Sequence, residues 1–295
     1  MESVIKREKR SGDRFDAYWL RNDAPAMAQF IAYLYPNRTD NEAFIQQDID
    51  TRAMDRYLAS KNEGREQDKY TYFHVIMAAL VKCFVLRPRM NRFISGNRVY
   101  ERDHISVAFV VKKRFADSSS EGLAYKHYGE NDTIDSLHGS IMEEIYQCRR
   151  EDVLDNSTNF MSKLVRLPRW ILRIVVNILF FLDRRGKVPN DLIKADPNYA
   201  SIFLTNLGSI GLQSGYHHLN NWGTNSFFCV IGKKHLSPEW HEDGSYTVRP
   251  VIGMGLTIDE RIGDGFYYSG TVRLLKKIME NPEILDEPFG TPVEY

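Results

Sequence analysis

The chain has little cysteine, no net charge and no long apolar run. Its three cysteines, Cys83, Cys148 and Cys229, lie far apart with no CxxC spacing. That excludes a disulfide framework and a cysteine metal site, and it fits a reducing compartment. Thirty-nine Lys and Arg balance thirty-nine Asp and Glu, so there is no basic footprint for nucleic acid. The opening residues, "MESVIKREKRSGDRFD", are charged and lack the apolar centre of a secretory signal. A cytoplasmic protein is expected. No Gly-, Ser- or Pro-rich linker and no internal repeat divides the 295 residues, which predicts a single domain. No apolar stretch reaches the roughly 20 residues that span a bilayer.

What the chain does contain is an alternation of strand and helix patterns. "EAFIQQDID" (42–50) alternates like a strand and runs into a helix at 51–61. "YTYFHVIMAALVKCFVL" (70–86) is apolar at helical spacing and stops before Pro88. Residues 97–113 read as a strand pair with a polar turn at Glu101–Asp103. Residues 132–151 read as an amphipathic helix capped by Asp132 or Thr133. Three further strands are predicted at 202–211, 225–235 and 247–259, the last two joined through a hairpin signal at Asp243-Gly244. Residues 266–285 read as mostly helix.

One segment stands apart. In 159–186 the polar residues Lys163, Arg166, Arg169, Arg173 and Asn177 form a narrow stripe on a mostly apolar helix, with Pro168 as a break. The favoured expectation is a helix packed in a core or subunit interface with its arginines reaching solvent. A peripheral membrane contact is the less favoured reading.

The motif that raises the functional question is "TIDERIGDGFYYSG" (257–270). An acid, an apolar residue and then Asp-Gly before aromatics is the layout of a loop that delivers a catalytic side chain. Four stretches in order resemble the catalytic domain of dihydrolipoyl acyltransferases, the core subunits of 2-oxo acid dehydrogenase complexes. Chloramphenicol acetyltransferase is similar in fold. The stretches are "YTYFHVIMAALVKCFVLRPRMNRFISGNRVYERDHISVAFVV", "FLTNLGSIG", "DGSYTVRPVIGMGLTID" and "DERIGDGFYYSG". The resemblance spans about residues 40–285 and leaves out 152–198, so the hydrophobic helix at 159–186 reads as an insertion. Lipoyl and subunit-binding domains are not expected in the chain.

The resemblance implies an α/β fold, a mixed β-sheet with flanking helices, assembled as a homotrimer with its active site between subunits. It implies acyl transfer with coenzyme A as co-substrate, to a small acceptor that the sequence does not name. Thr205 falls at the family's oxyanion-stabilising Ser/Thr position. Asp264 and Gly265 match the Asp-Gly of the His-x-x-x-Asp-Gly motif, where the aspartate organises the loop, often with an arginine; Arg21 is the candidate partner.

Glu260 stands where the family has its histidine base. Glutamate has a reference pKa of about 4.3, and it serves as a base near neutrality only where burial raises that value. Three readings follow. Glu260 is a retuned base, or His217 or His218 in "GYHHLNNWG" serves instead, or the chain is an inactive homotrimer that binds acyl-CoA or scaffolds a partner. Adjacent histidines on a strand would point to opposite faces. The other histidines, His104 and His241 among them, read as structural or surface residues. His217-His218 lacks the spaced ligands of a metal site, and no metal is expected. Cys229, in "FFCVIG", reads as a buried and inert thiol.

Overall fold

The computed structural model describes residues 7–112, 121–150, 164–193 and 196–295. Strand β2 (Glu42–Asp50) runs into α2 (Arg52–Lys61), as the alternating pattern predicts. Helix α3 (Tyr72–Leu86) begins at a capping box in which the Thr71 backbone N–H donates to His74 Nδ1 at 3.0 Å. This helix is apolar on every face and is buried from His74 through Phe84. It forms the centre of the core.

Six strands make the main sheet: β2, β5 (Ile105–Lys112), β6 (Glu121–Tyr128), β7 (Ile202–Asn206), β8 (Phe227–Trp240) and β9 (Tyr246–Asp259), in the order β2-β9-β8-β7-β5-β6. It is mixed, because β7 lies parallel to both β5 and β8 while the other neighbours are antiparallel. Period-2 alternation sorts its side chains. Ile202, Leu204, Phe227, Cys229, Met254, Leu256 and Ile258 join α3 and α6 (Gly265–Glu280) in the core. On the opposite face Phe203 and Leu207 pack with Phe228, Val230 and Leu219. Helix α4 (Ile134–Arg150) starts with Thr133 Oγ1 accepting from the Ser136 N–H. The β8–β9 hairpin turns at Asp243-Gly244, with Gly244 at φ +81°.

A second, three-stranded sheet holds β1 (Ala17–Trp19), β3 (Arg92–Ser95) and β4 (Arg98–Arg102) in the order β1-β4-β3. This corrects the strand pair expected at 97–113. β4 and β5 are adjacent in sequence, but the turn between them passes the chain from one sheet to the other. The strand expected at 202–211 likewise ends at Asn206, and Leu207–Ile210 forms a 3-10 turn capped by the Asn206 side chain.

Residues 213–216 lie against the open face of β8 and β9 at a distance only glycine permits. A Cβ on Gly255 would stand 1.9 Å from the Gly215 carbonyl oxygen, and one on Gly232 would stand 2.2 Å from the Ser214 nitrogen.

Helix α5 (Arg169–Asp183) follows Pro168, as the break predicts; Lys163 of the expected stripe lies outside the described residues. A helix packed in a core or in a subunit interface was expected, and within the chain α5 is not packed in the core. Trp170 is 67% exposed and Phe181 54%. Of its residues Asp183 alone, in the last turn, is fully buried. Asp183 accepts from the Tyr199 hydroxyl at 2.6 Å and from the Gly223 N–H at 3.1 Å, and Phe180 meets the Trp222 ring. No described helix is long and apolar enough to cross a membrane.

Candidate active site

Strand β9 ends at Asp259, and the chain turns through Glu260–Ile262 into α6. Asp259 is wholly buried. Its carboxylate accepts from Arg261 Nε at 2.7 Å and Nη2 at 2.6 Å, and Arg38 Nε lies 3.6 Å away. Burial pushes the Arg38 guanidinium below its ordinary value, and the Asp259 charge opposes that shift. Arg261 also donates to the Tyr35 carbonyl at 2.8 Å and the Pro36 carbonyl at 3.2 Å, which ties the turn to the segment after α1 (Ala26–Leu34). The Tyr268 hydroxyl donates to the Asp259 carbonyl at 3.0 Å. Burial and the Asp259 charge push that phenol well above its ordinary value, so it remains a donor. The backbone at Glu260 is therefore fixed from several sides.

Asp264 is the N-cap of α6, and its side chain accepts from the Tyr267 N–H at 2.8 Å. Turn duty and loop-building duty coincide in it. The expected Arg21 partner is not there: Arg21 donates to the Ser11 carbonyl and lies over the Trp19 ring. The arginine that organises this loop is Arg261, held on Asp259. A buried acid and base two residues apart at a strand end, "DER", was the available signal for that pair.

Glu260 is exposed and lines a cleft of about 910 Å³ with Asp264, Gly265, Tyr268, Arg273 and Lys276. Ala43, Ile45 and Gln47 of β2 form its floor, and Met27, Ala28 and Ile31 of α1 form a wall. Ala43 and Ile45 pair with Ile258 and Leu256, so the cleft opens on the helix-bearing side of the sheet, at its β2 edge.

Thr205 lies elsewhere. It is half-buried on β7 and pairs with Val230, on the face shared by Phe203 and Phe228. Val230 pairs with Gly255, five residues before Glu260. Strand spacing and rise then separate the Thr205 and Glu260 backbones by about 20 Å, on opposite faces of the sheet. One chain does not bring them together.

His217 and His218 lie on the Thr205 side. They are not on a strand, which corrects the expectation of opposite faces: their rings stack at 4.6 Å with 19° between planes. His217 also lies flat on Phe228, at 4.3 Å and 10°. Its Nδ1–H donates to the His218 carbonyl at 2.7 Å, so Nε2 of the neutral ring carries the free lone pair. Cys229 faces the core on the other side of β8, and burial pushes its thiol well above the ordinary range, away from nucleophilic use.

Residues 188–285 match the family model described as 2-oxoacid dehydrogenases acyltransferase (catalytic domain). No curated protein matches the chain. Among solved structures, a probable dihydrolipoamide acetyltransferase from Listeria monocytogenes 4b F2365 superposes with a TM-score of 0.57 at 15% identity, over 88% of this chain and 93% of that one. A dihydrolipoamide acetyltransferase of Azotobacter vinelandii gives 0.58 at 12% identity, over 96% and 95%. That enzyme was studied for the role of a serine, a histidine and an asparagine in its catalytic mechanism. A chloramphenicol acetyltransferase gives 0.51 at 14% identity, over 89% and 99%. The chain has the fold of these acyltransferases.

Proposed function

We propose that the protein is an acyltransferase that uses acyl-coenzyme A, acts as one catalytic domain bearing α5 as an addition, and completes its active site between the copies of a homotrimer. The observation that carries this reading is the separation of Glu260 from Thr205 by about 20 Å within one chain. Each residue is half of a site, and a second copy supplies the other half. Two exposed apolar surfaces suit such a contact. Met27, Phe30, Tyr33 and Leu34 stand out from α1 beside the cleft, and Leu236, Trp240, Tyr246 and Val248 line the β8–β9 arm.

In this reading the cleft takes the polyanionic co-substrate, and Arg273 and Lys276 face its phosphates. A base removes the acceptor's proton. The acceptor oxygen or sulfur then attacks the thioester carbonyl, the Thr205 hydroxyl donates to the developing oxyanion, and the thiolate of coenzyme A leaves. Asp264 holds the start of α6 so that the turn presents Glu260. A second reading rests on Glu260 standing where the similar family has histidine: a homotrimer that binds acyl-CoA and turns nothing over.

Subunit complementation tests the proposal. Glu260→Gln and Thr205→Val chains, each inactive alone, are unfolded together and reassembled. Random trimers place intact halves opposite one another at about a quarter of the sites, so about a quarter of wild-type activity returns. Reassembled trimers with no activity, from a wild type that is active, would rule out the between-copy site.

A further inference from the structure

Helix α5 has three faces. Ile171, Val175, Leu179 and Leu182 are half-buried against the protein. Trp170, Ile174, Ile178 and Phe181 recur at intervals of three or four residues and form one exposed apolar stripe. Arg169, Arg173, Asn177 and Arg184 border that stripe, and Arg185 lies over the Phe181 ring at 3.6 Å. The only acid of α5, Asp183, is turned inward to Tyr199 and Gly223. Among the described residues no ion pair neutralises Arg166, Arg169, Arg173, Arg184 or Arg185. The chain as a whole carries no net charge, so this positive patch is a local concentration.

We propose that this stripe docks α5 in the plane of an anionic membrane surface. The helix of 15 residues is about 22 Å long, too short to span a bilayer and long enough to lie in its interface. A tryptophan and a phenylalanine among isoleucines, bordered by arginines, is the composition that a headgroup boundary accommodates: apolar groups enter the acyl layer while guanidinium groups remain with the phosphates. The Asp183 anchor presents the stripe as a fixed surface, because the last turn is bonded into the fold. The contrast with α1 separates this occupant from a second copy. The exposed face of α1, in "AMAQFIAYL", has no charged residue at all and suits protein contact. A copy of α5 brought against α5 would set arginines against arginines.

The test uses the full chain with vesicles of phosphatidylcholine alone and with about 30 mol% phosphatidylserine. The protein should float with the anionic vesicles at low salt, dissociate at about 0.5 M salt, and ignore the neutral ones. Arg169→Ser with Arg173→Ser should weaken binding about twenty-fivefold, roughly fivefold per arginine. Trp170→Ser with Phe181→Ser should abolish it. Trp170→Phe should keep binding but lose the blue shift of tryptophan emission that wild type shows on the vesicles, which holds whether or not the double variants fold fully. Three outcomes would overturn the proposal: wild type that stays off anionic vesicles, binding with no change in Trp170 emission, or a Trp170→Ser, Phe181→Ser protein whose trimer falls apart in light scattering, since α5 would then be covered by a second copy.

Discussion

The His217 ring lies 4.3 Å above Phe228 and donates its Nδ1 proton to the carbonyl of its neighbour His218. Phe228 pairs with Phe203, and Thr205 is two residues further along the same face of β7. The stacked pair of imidazoles and the candidate oxyanion donor thus occupy one side of the sheet, about 8 Å apart by strand geometry at the backbone positions beneath them. Stacking fixes the plane of the ring and the hydrogen bond fixes its tautomer. Both are what a positioned base requires.

That placement depends on the glycine track under residues 213–216. Gly255→Ala puts a methyl group where the Gly215 carbonyl now stands, at 1.9 Å, and backbone rather than a flexible side chain must give way. Destabilisation of about 1–3 kcal/mol is expected in urea titration, with changed imidazole resonances for His217 and His218 by NMR. Gly139→Ala, in α4 with nothing within 4 Å of its Cβ, should do the opposite and stabilise by about 0.5–1 kcal/mol. Unchanged imidazole resonances in Gly255→Ala would show that the segment is held by something other than this contact.

The period-2 alternation of β8 and β9 and the Asp-Gly turn between them are local signals, and the chain states them openly. So is the apolar run of α3, because a helix buried on all faces needs no polar stripe. The allocation of β4 and β5 to different sheets is a tertiary choice that two adjacent strand patterns do not encode. The side of the sheet on which Thr205 lies relative to Glu260 follows from registers among β7, β8 and β9, whose partners are distant in sequence. The stacking of His217 on His218 was hidden for a related reason: alternation holds only on a strand, and this segment is coil laid across one. The resemblance marks Asp264 and not Arg261, although the buried pair Asp259–Arg261 builds the loop.

Unlike His217 and His218, the imidazoles of His74 and His138 are buried, and they bear on acid stability. His74 is held neutral in the core, its pKa pushed down to about 3 by burial and by His138, whose ring lies 4.8 Å away. Burial lowers His138 as well, and its ring stacks on Tyr70 at 3.9 Å. In the unfolded chain His74 binds its proton near pH 6.5. Between there and about 3 the unfolded state therefore holds more protons, and stability falls as pH falls through that window. His74→Asn keeps an acceptor for the Thr71 N–H and removes the titration. Its stability should vary less between pH 6.5 and 4 than that of wild type, by a few kcal/mol, as read from urea midpoints. An unchanged pH dependence would assign the acid sensitivity elsewhere.

The identity of the base is the sharpest question the site poses, and four substitutions separate the answers. Glu260 is exposed in the single chain, so burial by a neighbouring copy is what would make its carboxylate a base. If it is the base, Glu260→Gln should remove turnover with acyl-CoA and an acceptor panel while leaving assembly intact, and Glu260→His should restore some of it. If His217 is the base, Glu260→Gln should retain most turnover and His217→Ala should lose about a hundredfold or more. His218→Ala distinguishes a supporting ring from a reacting one: it keeps the backbone carbonyl that fixes the His217 tautomer, so it should cost less than His217→Ala. Acyl-CoA that binds in calorimetry to wild type and to all four variants alike, with no free thiol released by any, would favour the inactive homotrimer. Glu260 and His217 lie on opposite sides of one protomer's sheet, so only an assembly that faces one copy's cleft to the next copy's β7 lets both touch the same substrate. A wild type that works while each single variant loses part of its rate would therefore be evidence for the shared site as well as for its base.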